Sequence, residues 1–139
     1  EHIVARFSGV EGFELDRSAN YFSSYARSDM MLTDVSGTGF TFAFTFGRPA
    51  LFFAPQAEVE EGKSGIQFEC RDNIGLVVRD VDHLVERLQL TKRHELFLQV
   101  RIEELRDYLL FNPMTSERYF VEHVDALVNG RYPSDWRVV

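Results

Sequence analysis

The passage from Ser28 to Gly39 constrains this chain most. A short apolar run, Met30, Met31 and Leu32, stops abruptly in Thr33, Asp34, Ser36, Gly37, Thr38 and Gly39, a cluster of polar and very small residues. Strands buried on both faces read as apolar runs without alternation, and parallel sheets are the ones so buried. The small polar cluster places a tight turn at the carboxyl end of that strand. The N–H groups of a helix starting there lack intrahelical partners and favour an anion. The passage therefore predicts a strand over 29–33 in an α/β fold, with a phosphate or nucleotide pocket at its end.

The next segment, Gly39 to Gly47, alternates Phe with Gly, Thr and Ala. Alternation is a strand signal, and a hairpin turning at Gly47, Arg48 and Pro49 would satisfy it. A helix over 37–46 satisfies it too. Ser36 would cap that helix, and Gly39, Ala43 and Gly47 would line up where a neighbouring backbone comes close. Phe40 and Phe44 would form the next row. Gly47 suits the position after a helix, and Pro49 prevents continuation. The helix is the expectation, because the apolar run at Ala50 to Ala54 is a second buried strand and parallel strands need a crossover.

Elsewhere the pattern predicts short strands at Ile3–Phe7 and Phe13–Leu15. A helix over Asn20–Ala26 follows, capped by Ser18, with Tyr21, Phe22 and Tyr25 on one face. Residues 56–65 read as a polar loop in which Glu58, Glu60 and Glu61 are solvated. Ile66–Cys70 reads as an edge strand and Gly75–Val78 as a further strand. Asp80 should cap a helix carrying Val81, Leu84, Val85 and Leu88. The last third is helical. An apolar stripe of Phe97, Val100, Leu105, Tyr108 and Leu109 runs across residues 92–111, with Arg101, Glu103, Glu104 and Arg106 on the wet side. After Asn112-Pro113, Thr115 or Ser116 caps a final helix with Phe120, Val124, Leu127 and Val128 inward, ended by Asn129-Gly130. The tail from Tyr132 to Trp136 should dock in extended form by its aromatics.

At 139 residues and 45% hydrophobic content the chain is long and apolar enough for one globular domain. A net charge of −7 argues against a nucleic-acid partner. Cys70 is alone, which excludes an internal disulfide and fits a reducing, cytoplasmic setting. No apolar run reaches the length of a membrane helix. Glu1 in place of an initiator Met leads us to expect a processed chain or a piece of a longer one. His2, His83, His94 and His123 are scattered without metal-ligand spacing, so no metal site is expected. No Gly-x-Ser-x-Gly elbow is present, and Phe42 stands where a dinucleotide fingerprint needs its third glycine. No catalytic residue and no cofactor is assigned. Arg48 reads as a helix-end charge, and Arg71 as a candidate ligand contact.

From Tyr21 to Pro55 the order of features is a short aromatic helix, Ser28-Asp29, an apolar strand, Thr33-Asp34-Val35-Ser36-Gly37, a helix, then Pro49 and an apolar strand. This resembles the C-terminal half of the CDP-glycerol glycerophosphotransferase family and, more loosely, of GT-B glycosyltransferases. The likeness is specific over about 35 residues and extends weakly to Ile74–Val78 and the helices beyond. It implies a three-layer α/β/α, Rossmann-like domain over residues 1–139 with a mainly parallel sheet, half of a GT-B-type fold. It further implies a CDP- or UDP-linked donor, with the diphosphate on Ser36, Gly37 and Thr38, Thr33 and Gly39 beside it, and Asp34 organising the turn. The family setting is cell-envelope polysaccharide synthesis, cytoplasmic or peripheral to the inner membrane face. The family's N-terminal acceptor domain would be the missing partner. The chain alone would be inactive, and its exposed docking face would favour a homodimer.

Two departures stand out. The family's His-Pro motif is missing, since His2 precedes Ile3, and Thr41 occupies the place of an acidic residue that helps hold the donor. They favour a second reading, a non-catalytic α/β interaction or regulatory domain that keeps the fold without the site.

Overall fold

Three short strands, β1 (Met31–Thr33), β2 (Ala50–Phe53) and β3 (Gly75–Val78), form a parallel sheet in the order β1-β2-β3. The computed structural model describes residues 2–56, 60–110, 112–132 and 134. Met31 pairs with Ala50 and Ala50 with Gly75, so Thr33, Phe52 and Val77 lie in one row across the sheet. The chain divides into two compact units, Glu1–Ile102 and Glu103–Val139. The fold class is thus mixed α/β with a small parallel sheet.

The ambiguous Phe-rich segment is helical. Helix α3 (Thr38–Phe46) makes the crossover from β1 to β2, and Gly47 ends it in the left-handed region, with φ 65° and its N–H donating to Ala43 O. The small row is what lets the helix lie on the sheet. A Cβ at Gly39 would sit 2.8 Å from the Phe52 ring and 3.3 Å from Thr33 Cγ2. Phe40, Phe42 and Ala43 are buried along the same helix. Phe42 meets Tyr25 edge-on with ring centroids 5.5 Å apart, which ties α2 (Phe22–Arg27) to α3. Ala43 is fully buried. An Ala43→Leu chain should therefore lose about 1–3 kcal/mol by overpacking, read from urea unfolding. A neutral result would contradict this helix face.

Several expected elements take another form. Ile3–Phe7 is not a strand but part of helix α1 (His2–Phe7). With no strand alongside, local bonds such as Ser8 N–H to Val4 O, 2.8 Å, satisfy the backbone instead. Phe13–Leu15 forms no regular element. Ser18 does not cap α2; Asn20 Oδ1 accepts the Phe22 N–H, and Ser18 belongs to the turn before it. Ile66–Cys70 is not an edge strand. Gly65, at φ 111°, opens helix α4 (Ile66–Glu69), and the Glu69 carboxylate reaches back to the Gly65 N–H at 3.0 Å. Helix α5 (Arg71–Ile74) then leads into β3.

Asp80 caps only a turn, accepting the Asp82 N–H, and helix α6 (Leu84–Arg93) starts after His83. In α7 (Glu95–Leu109) the inward row is Leu98 and Ile102, while Phe97, Val100 and Tyr108 are exposed. That helix carries two apolar rows, and residue type alone does not say which meets a partner. Helix α8 (Ser116–Val128) buries none of its residues, so Phe120, Val124, Leu127 and Val128 do not form an inward face. The second unit is too small to enclose them. Tyr132 is exposed rather than docked, and Trp136 lies outside the described residues.

Candidate functional site

The strands end at Thr33, Phe53 and Val78, and the polar residues gather at this carboxyl edge. Beyond β1 the chain turns on its own bonds. Ser36 N–H donates to Asp34 O at 2.9 Å, and the Thr33 hydroxyl lies 3.3 Å from Asp34 Oδ1 and 3.4 Å from Ser36 Oγ. Gly37 O accepts the Phe40 and Thr41 N–H groups, each at 3.1 Å, which opens α3. Asp34 thus helps shape the turn through its carbonyl. Among the described residues no acceptor takes the N–H of Gly37 or Thr38, and both residues are exposed. Any Cβ at Gly37 would point into open space. Gly39 differs. It is buried against Phe52, so it serves helix–sheet packing and not the approach of a ligand, a correction to the expectation for that residue. Thr41 is exposed, its hydroxyl 3.4 Å from Gly37 O.

Two cavities meet the start of the turn at Asp34; neither is lined by Ser36, Gly37 or Thr38. One, of about 300 Å³, is lined by Leu32, Thr33, Asp34, Phe53, Val81 and Leu84. The other, of about 410 Å³, runs from Asp34 and Val35 past Phe53 and Pro55 to Glu60, Lys63 and Phe68. Helix α3 has nine residues, so its dipole places roughly half a positive charge at Gly37 and Thr38. The start of the helix can therefore accept an anion on backbone donors, and both cavities open nearby in the chain at Asp34.

Glu60 is not a solvated loop acid, as its run suggested. Its carboxylate takes both forks of Arg71, each 2.7 Å, and Arg79 Nη1, also 2.7 Å. Only 11% of the Glu60 side chain and 9% of that of Arg71 are exposed. Arg79 also donates to Ala54 O, which fixes it over the end of β2. Arg71, a candidate ligand contact by sequence, is held by this carboxylate. Arg48 is the helix-end charge expected, donating to Ala26 O and Ser28 O at the end of α2. The Glu60 cluster was not legible beforehand, because its members lie 8 to 19 positions apart in the chain and no spacing rule joins them.

The Arg71 hydrogen bonds hold the Glu60 carboxyl well below its ordinary 4.5, at about 2, with Arg79 adding to the effect. Asp16 is similarly lowered to about 2, chiefly by the Ser24 hydroxyl and then by Ser18. A depressed carboxyl contributes stability that is full above its unfolded value and lost as pH falls through the folded one. The Glu60 contribution should thus fade between pH 4.5 and about 2. Glu60→Gln should flatten the acid limb of a stability–pH curve in that window and leave the share due to Asp16. An unchanged limb would show the pair to be broken in solution.

No family model, characterised protein or solved structure matches this chain. Among the described residues no helix is long and apolar enough to cross a membrane, and no group of three metal-ligating side chains gathers.

Proposed function

We propose that the turn from Thr33 to Thr38 binds the diphosphate of a nucleotide-linked donor. The chain would be the donor-binding half of a glycerophosphotransferase or glycosyltransferase-like protein, with the three-layer α/β/α architecture of a GT-B half. One observation carries this reading. Among the described residues the N–H groups of Gly37 and Thr38 have no acceptor, and they open a nine-residue helix at the carboxyl edge of a parallel sheet. Ligands of open α/β sheets bind at that edge. The Ser36 and Thr38 hydroxyls add donors. Without the acidic residue that Thr41 replaces, affinity should be weak, about 0.1–1 mM. Calorimetric titration with CDP and UDP tests it. Binding of both, with cytidine and uridine silent and Gly37→Val removing the response, is the expected result. Equal response to the nucleosides would place the affinity in the base and overturn the diphosphate site.

A second reading, a non-catalytic interaction or regulatory domain, is favoured by Thr41 and by the exposed apolar residues Leu32, Val81 and Val85 near the same edge. It becomes the better one if no nucleotide binds at several millimolar.

A further inference from the structure

We infer that Arg71 and Arg79 form a second anion site, fitted to a phosphoryl or diphosphoryl group of a small ligand, which Glu60 fills with its own carboxylate. The guanidinium fork fits a carboxylate and a phosphate equally well. Here two guanidinium groups bond directly to one carboxylate, and among the described residues the only further negative charge acting on Arg71 is the more distant Asp72, so the bonded cluster itself holds two positive charges against one negative. A phosphate dianion supplies the second negative charge that Glu60 lacks and offers three oxygens to the same donors. Arg71 is almost wholly buried and Arg79 is 41% exposed, so the cluster has a fixed inner cation and an accessible outer one. Space lies beside it. Glu60 and Lys63 wall the cavity of about 410 Å³ that reaches Asp34 and Val35, and Lys63 belongs to the same turn, its N–H donating to Glu60 O. The inference stands independently of the α3 turn, since its donors are side chains of α5 and of the residue after β3.

The test is titration of the chain with inorganic pyrophosphate, followed by the Nε–Hε resonances of Arg71 and Arg79 and the amides of Gly37 and Thr38. In Glu60→Gln the internal competitor loses its charge, and affinity at the arginines should rise about tenfold or more over the natural chain. Adding Arg79→Gln should cancel that gain. Unchanged affinity in Glu60→Gln, or arginine resonances that stay still, would overturn the site. Shifts confined to Gly37 and Thr38 would uphold the turn and overturn this inference; shifts confined to the arginines would do the reverse. If Glu60→Gln fails to fold, Glu60→Asp keeps the charge but draws the carboxylate back by one methylene from both guanidinium groups, which share its Oε2. It should then tighten pyrophosphate about threefold, and no gain would overturn the proposal.

Discussion

Gly75→Ala should unfold the first unit or destabilise it by more than about 3 kcal/mol, one of the largest single-residue effects in this chain. The cause is a close approach of two backbones. A Cβ at Gly75 would lie 1.5 Å from Ala50 O and 2.6 Å from Ala50 C. Glycine within a strand often marks such an approach. Its φ of 172° is ordinary extended backbone, so the cost is collision and not conformational strain. Retreat is blocked, because Ala50 is fully buried and paired to Met31 on its other side. Urea unfolding followed by circular dichroism would measure the loss. A change under about 1 kcal/mol would mean that the β2–β3 register is wrong.

Phe42→Ala should cost about 3–5 kcal/mol. Phe42 has no exposed surface, and its ring packs edge-on against Tyr25 and 5.9 Å from Phe46. Truncation removes one ring contact between α2 and the crossover helix, leaving those of Phe46 with Phe22 and Tyr25, and leaves a cavity beside the fully buried Ala43. Thr41→Ala, one residue away and exposed, should change stability by no more than about 0.5 kcal/mol. Similar losses in both variants would show that this helix turns another face to the sheet.

The sequence was legible where short-range pattern decides the structure. The apolar runs at 30–32, 50–54 and 75–78 mark where the three strands lie, but only β2 is buried as such a run predicts; β1 buries none of its residues and leaves Leu32 exposed, a correction to the expectation of a strand covered on both faces. The crossover helix was recoverable despite its alternating phenylalanines, since its small residues, Gly39 and Ala43, share helical spacing and Gly47 and Pro49 stop it. Legibility failed where long-range partners decide. Ile3–Phe7 and Ile66–Cys70 have strand-like composition, yet neither finds an edge to pair with, and each closes its own backbone bonds as a helix. In α7 the sequence offers two apolar rows, and only the neighbours of Leu98 and Ile102 select between them. At the site, the turn residues Thr33 to Thr38 fall at the carboxyl edge where the pattern put them, whereas Gly39 turns inward to Phe52. The pairing of Glu60 with Arg71 and Arg79 depends on a loop returning to the sheet, which local spacing does not encode.

In the proposed site the N–H groups of Gly37 and Thr38 donate to the oxygens of a diphosphate. The most direct measurement is the amide chemical shift of these two residues during titration with CDP. Saturable downfield shifts at Gly37 and Thr38, with a midpoint of about 0.1–1 mM and loss of the effect in Gly37→Val, are the expected result. Gly37→Val should remain folded, since its side chain enters open space at an ordinary φ of −64°. Amides of Gly37 and Thr38 that stay unmoved at several millimolar CDP, in a chain whose other resonances show it folded, would contradict the claim.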